Sequence, residues 1–333
     1  MAKSRKLEET LDILAQVREH PSSDEAIATL RQILKGKYSV AIAQVAKIVR
    51  EAALGALIPD LIAAFDRMMV KPVESDPGCL AKKEIVETLY HLEYHSESLF
   101  LRGIRHVQME PVWGGKEDKA TTLRGVCALG LVRMNYPQVM VELGDLLADS
   151  EVEARIAAAR AIAYAENPAG IPLLRLRVKV GDQPAVLIEC LIALLKLDPE
   201  ATIPLVNSFL YPAKEALNRT QDGETIEAAV LALGESRLSQ AFPILRDWWK
   251  QTYEPELRRS GLLAIAMLRH DTALDFLITV IAEGSTLDAK AAISALGIYR
   301  EDKSLWQRVC QTTESRGDRA LLTMLQKREI KVF

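Results

Sequence analysis

Three stretches decide the fold: Ala161-Ile162-Ala163 with Pro172, Ala193-Leu194-Leu195 with Pro204, and Ala232-Leu233-Gly234 with Pro243. In each, a triplet of small or aliphatic residues is followed nine residues later by a proline. Each proline opens the same apolar phrase: Ile171-Pro172-Leu173-Leu174, Ile203-Pro204-Leu205-Val206 and Phe242-Pro243-Ile244-Leu245. Self-similarity at a fixed spacing marks a repeat array, in which each unit buries its apolar face only against its neighbours. A proline in the first turn of a helix gives up no intrahelical hydrogen bond and already holds a helical φ. The phrase therefore predicts the start of the second helix of a pair, and the triplet predicts the end of the first. Small residues there are expected to let the second helix fold back closely. The fold class that follows is all-α: a right-handed α-solenoid of about nine antiparallel helix pairs.

Working outward, residues 118–314 read as regular repeats. Asp118–Val132 pairs with Pro137–Leu147, Glu151–Ala165 with Ala169–Val180, and Gln183–Leu197 with Pro199–Leu210. Thr225–Gly234 pairs with Ser239–Gln251, Pro255–Leu268 with Thr272–Ala282, and Leu287–Tyr299 with Lys303–Thr313. Ile156, Ala159 and Ala163 recur on one face, the stripe of a half-buried helix. Residues 1–117 follow the same logic less regularly, with Ile58-Pro59-Asp60-Leu61 repeating the proline phrase. Asp318–Arg328 in the closing segment, 315–333, reads as a capping helix, its charges Arg319, Lys327, Arg328 and Glu329 suited to an outer face in water. The organisation expected is one solenoid domain over residues 1–333.

Hydrophobic residues make up 49% of the chain and aromatics only 5%, so the core is built from Ala, Leu, Ile and Val. A net charge of −3 argues against a chain devoted to coating nucleic acid. Cys79, Cys127, Cys190 and Cys310 lie far apart without paired spacing, which fits reduced thiols and a cytoplasmic location. Met1–Glu19 lacks the uninterrupted apolar run of a signal peptide, and no segment approaches the ~20 apolar residues of a membrane span.

The run Val152-Glu153-Ala154-Arg155-Ile156-Ala157-Ala158-Ala159-Arg160-Ala161-Ile162-Ala163, with a partial copy at Ala291-Ala292-Ile293-Ser294-Ala295-Leu296-Gly297, carries a family resemblance. It resembles the V-R-x-x-A-A-x-A-L-G first helix of short HEAT-like repeats, the variety also found in phycobilisome-lyase-type proteins. The resemblance covers nearly the whole chain and specifies a helix pair rather than an activity. The large exposed surface of such an array, without convergent catalytic groups, points to a non-catalytic scaffold or adaptor that holds a protein or peptide partner through the concave face of its second helices and the inserted edge loops. The resemblance also brings two alternatives: a phycobilin-lyase-like role in attaching or removing a chromophore, and a HEAT-like DNA-binding or DNA glycosylase role. The HEAT-repeat hydroxylases with paired His-Glu iron ligands are excluded, because the chain has no His-Glu dipeptide.

The period breaks at Lys71–Cys79, Gln108–Asp118 and Tyr211–Gly223. All three breaks fall between a second helix and the next first helix, so they are expected to project from one edge. The middle break, with Pro111, Trp113, Gly114 and Gly115, is the leading candidate for a partner contact, since rigid aromatics on loops serve as hot spots. Trp113 can instead fold back over a gap between repeats, the commoner fate of such a residue. Arg102, Arg105, Arg175 and Lys179 on second helices are candidates for a basic strip on the concave face, although solvated charge explains them equally. Trp248 and Trp249 are adjacent, so at most one is expected to enter any groove. His91 and His95 are four apart on an expected helix and, with His106 or Cys79, could ligate a metal, but the H-E-x-x-H order is absent. No Gly-rich phosphate loop or nucleophile elbow is present. No catalytic residue, cofactor or metal is assigned.

Overall fold

The computed structural model describes residues 2–211 and 223–326. The inserted segment predicted at Tyr211–Gly223 lies outside the described residues but for its two ends, as do Lys327, Arg328 and Glu329 of the predicted cap. The chain forms two compact units, Met1–Glu166 and Asn167–Phe333.

The first unit contains α1 (Ala2–Val17), α2 (Asp24–Leu34), α3 (Ser39–Glu51), α4 (Ile58–Val70), a short α5 (Pro72–Ser75), α6 (Leu80–His91) and α7 (Glu97–Ile104). A two-stranded antiparallel hairpin follows, β1 (Met109–Val112) and β2 (Gly115–Asp118). The unit closes with α8 (Thr121–Arg133), α9 (Val139–Leu147) and α10 (Val152–Ala165). The second unit runs α11 (Ile171–Val180), α12 (Pro184–Leu197), α13 (Pro199–Leu210), α14 (Gly223–Ser236) and α15 (Ala241–Gln251). It continues through α16 (Pro255–Met267), α17 (Asp271–Glu283), α18 (Thr286–Leu296), α19 (Lys303–Arg316) and α20 (Arg319–Gln326). Successive helices pack as neighbouring pairs, the packing of an α-solenoid, and among the described residues the fold is all-α but for the hairpin. None of the described helices is long and apolar enough to cross a membrane.

Within each unit the two helix layers are held by different chemistry. First helices stack directly on one another: α3 on α6, α6 on α8 and α8 on α10, then α12 on α14, α14 on α16 and α16 on α18. Small residues permit it. A Cβ at Gly125 of α8 would stand 2.9 Å from the Cβ of Ala157 on α10, and one at Gly234 of α14 would stand 2.6 Å from the carbonyl oxygen of Ala264 on α16. The small residue closing the 232–234 triplet thus admits the next first helix rather than the second helix of its own pair. Second helices are bridged by arginines. Arg31 Nε meets Asp60 Oδ2 at 3.0 Å, and Arg67 donates to the carbonyls of Leu34 at 2.7 Å and Gly36 at 3.0 Å. Arg316 donates to the Ile281 carbonyl at 2.7 Å.

The turns explain where the pairs end. Ala53, Glu93 and Asn135, one or two residues beyond α3, α6 and α8, take positive φ of 52°, 54° and 52°. The next amide then reaches back: Leu54 to Val49 O at 3.0 Å, Tyr94 to Leu89 O at 2.9 Å and Tyr136 to Leu131 O at 3.0 Å. This left-handed cap satisfies carbonyls that the helix end would orphan. Arg237 and Arg269 in the second unit also take positive φ, of 53° and 61°. Pro59 and Pro172 sit at the first turn of α4 and α11, as the phrase predicts. Pro204 departs from the phrase but not from the predicted helix Pro199–Leu210: α13 starts at Pro199, capped by the Asp198 carboxylate on Ala201 N, so Pro204 falls inside the helix.

Candidate functional site

The predicted loop at Gln108–Asp118 is the β-hairpin, with Val112 paired to Gly115 and Trp113-Gly114 as the turn. Gly114 holds φ +89°, the position at which a type II turn needs a positive φ. Pro111 is tolerated because both strands are edges. Trp113 is 102% exposed, so it does not fold back over a gap. Met109 and Val112 are exposed with it. The Gly114-Gly115 pair was the available signal for a hairpin; Pro111 masked it.

The base of the hairpin is the opposite in character. Asp118 accepts from the backbone N–H of Gln108 and of Ala120, both at 2.9 Å, and from Arg124 Nη1 at 2.5 Å. Burial pushes the Asp118 carboxyl up, but those two amides and the Arg124 guanidinium outweigh it and hold the group below its ordinary range. Arg124, 2% exposed, also donates to the His106 carbonyl at 2.9 Å and pairs with Asp149 through Nε at 3.0 Å.

The neighbouring break, Lys71–Cys79, is stitched to the same base. Gln108 Nε2 donates to the Asp76 carbonyl at 2.9 Å, and Glu110 Oε1 accepts from Gly78 N at 2.7 Å. Asp76 itself caps α6, accepting from Ala81 N and Lys82 N at 2.9 Å each, and its fully buried carboxylate faces the fully buried Lys82 Nζ at 3.2 Å. Two of the three predicted breaks therefore meet on one edge of the first unit. The result is a bare aromatic on a mount fixed by buried, charge-assisted hydrogen bonds.

The four predicted basic residues are distributed differently. Arg102 pairs with Asp66 of α4, and Arg105 with Glu142 of α9, its Nε at 3.0 Å. Arg175 reaches the Ala201 carbonyl at 3.4 Å, and Lys179 is exposed. The three arginines act as struts between second helices, a use the sequence alone did not separate from solvated charge. Trp248 and Trp249 are both buried, Trp249 Nε1 donating to the Arg258 carbonyl at 3.1 Å.

The histidine spacing also reads differently in three dimensions. Helix α6 stops at His91, and the left-handed Glu93 turns the chain before His95, so the two do not share a helix face. His106 Nε2 stands 3.2 Å from Gln108 Oε1; burial first, with Lys82 and Arg124 adding to it, keeps the imidazole below its ordinary value. Burial pushes the Cys79 thiol up to about 12, leaving it a protonated packing group at neutral pH. Among the described residues no three His, Cys, Asp or Glu side chains gather as a metal site would require. A groove of about 420 Å³ lies between α8 and α10, floored by Gly125, Val126, Leu129, Ile156 and Ala157. No local pattern marks it, since Gly125 and Ala157 come together only in the packed helices.

Stacked helix pairs with small-residue first helices and a buried arginine near their start define a helical-repeat protein. The family model described as HEAT repeats matches residues 210–297, the stretch around α14 to α18, and supports a HEAT-repeat superfamily assignment. No curated protein matches it.

Proposed function

We propose that the chain is a non-catalytic, cytoplasmic HEAT-repeat adaptor that binds a protein or peptide partner, with the hairpin at Met109–Asp118 as its principal contact. HEAT repeats in general serve as protein-binding scaffolds, whose extended surfaces suit such contacts. The observation that carries the reading is Trp113, fully exposed on a hairpin whose base is buried and paired. Leaving an indole in water is unfavourable, and burying it in an interface recovers that free energy with little ordering of the hairpin backbone that carries it. The chromophore-lyase reading ranks lower because it rests on the repeat subtype alone, and the DNA reading because Arg102 and Arg105 are engaged by carboxylates.

The test is a paired capture from native lysate with the wild-type chain and Trp113→Ala at equal concentration. The adaptor reading predicts specific partners whose recovery falls at least about tenfold in the variant, the effect of losing ~1.4 kcal/mol of binding. Equal recovery by both proteins would remove the hairpin from the interface.

A further inference from the structure

The geometry of the tip also states which side of the contact is concave. Resting on the adaptor reading above, we infer that the hairpin is the inserted element of an interface with a folded protein. That partner supplies an apolar pocket for Trp113 and a carboxylate or carbonyl at the pocket rim for Lys116.

A Cβ built on Gly114 or Gly115 would meet nothing within 4 Å, and Trp113 has no wall on any side. Reading an extended peptide requires a sheet edge of useful length or a groove with spaced pockets. Here the strands have four residues each, and Pro111 removes one donor from β1. A projecting tip cannot enclose a ligand side chain. It can only be enclosed.

Charge sharpens the partner's chemistry. Glu117 is paired with Lys119 at 2.7 Å, and Glu110 is committed to Gly78 N and to Gln108 at 2.6 Å. Asp118 is held by Arg124 at the base. Lys116, opposite Pro111 in the register, stands exposed beside the turn on the face that also carries Met109. A single lysine flanked by an internally paired acid and base gives no basic cluster of the kind that anionic lipid or nucleic acid selects. It does give one cation to be met at the rim of an apolar pocket. The buried base means that little ordering is left to do on binding, so the indole can act as a preorganised anchor.

The experiment places a photo-crosslinking amino acid at position 113 of the full chain and, in a second protein, at position 126 in the α8–α10 groove. Both are irradiated in cells of the source organism, and the adducts are mapped to residues by mass spectrometry. Phosphatidylserine vesicles are tested in parallel by co-sedimentation. The inference predicts adducts from 113 on apolar residues that are distant in the partner's sequence but adjacent in its fold. It also predicts that Lys116→Glu lowers their yield at least threefold. Adducts from 113 confined to one linear disordered segment would overturn the inference and leave the adaptor reading standing, whereas adducts from 126 alone would overturn the inference and also remove the hairpin as the adaptor's principal contact. Trp113-dependent vesicle binding without protein adducts would replace the partner by a membrane. No protein adduct from either position would overturn both readings.

Discussion

Arg124 and Arg258 are each the fourth residue of a first helix, α8 and α16, and they hold different things. Arg258 serves an ordinary turn: it donates to the carbonyls of Trp249 at 3.0 Å and Thr252 at 2.8 Å, and pairs with Asp288 of α18 at 2.9 Å. Arg155 in α10 does likewise, donating to the carbonyls of Asp149 and Ser150 at 2.8 Å each. Arg124 keeps the link to the next repeat through Asp149, but its grip on the preceding segment has passed to the hairpin, through Asp118 and the His106 carbonyl. An insertion is tolerated here because it reuses the repeat's own anchor. The solenoid's internal ladder thereby becomes the mount of a projecting element.

The largest effect should separate the two arginines. Arg124→Ala leaves the Asp118 carboxylate buried without its partner and should cost about 3–5 kcal/mol. Arg258→Ala, whose ion pair is partly exposed, should cost about 2–3 kcal/mol in the same urea titration. Equal and small losses would show that the shared position is not an anchor.

Acid should act on both sites in the same direction. For Asp288 burial pushes the carboxyl up, but hydrogen bonds from Arg258 and Ser285 prevail and hold it below its ordinary value, as happens for Asp118. A depressed folded-state pKa means stability that is complete above about pH 4 and lost as pH falls through the depressed value. Asp118→Asn and Asp288→Asn should each be less stable at neutral pH and should each flatten the acid limb of stability against pH. An unchanged acid limb in either variant would contradict the assignment.

Much of this was legible in the sequence, and the exceptions have physical causes. The proline phrase located Pro59 and Pro172 because proline at a helix start obeys a local rule. Pro204 escaped it because Asp198-Pro199 supplies an earlier and equally good start. The left-handed positions were not legible: Ala53, Glu93, Arg237 and Arg269 occupy them where glycine would have announced a turn. The expected edge of insertions was correct for the two breaks that meet at Gln108 and Asp76. Their joining depends on buried side chains 32 residues apart, which no local pattern records. Arg102 was legible as a second-helix cation, while Arg105 lies just past the end of α7; neither was legible as a strut, since Asp66 and Glu142 lie a full repeat away.

A smaller effect probes the clasp between the two breaks. Glu110→Ala removes the acceptor of Gly78 N and should cost about 1 kcal/mol. Its clearer signature is faster amide exchange across Met109–Asp118 with the exchange of α14–α18 unchanged. Unaltered hairpin exchange would mean that the Arg124 base alone fixes the mount.

The smallest expected effect tests the central claim, that Trp113 is presented and not packed. Urea unfolding of Trp113→Ala and Trp249→Ala in parallel measures it directly. Trp249 is 7% exposed, and its truncation should cost about 3–5 kcal/mol. Truncating Trp113 should leave stability within about 0.5 kcal/mol of wild type. A loss of about 2 kcal/mol or more at Trp113 would place the indole in the protein's own core and contradict the account.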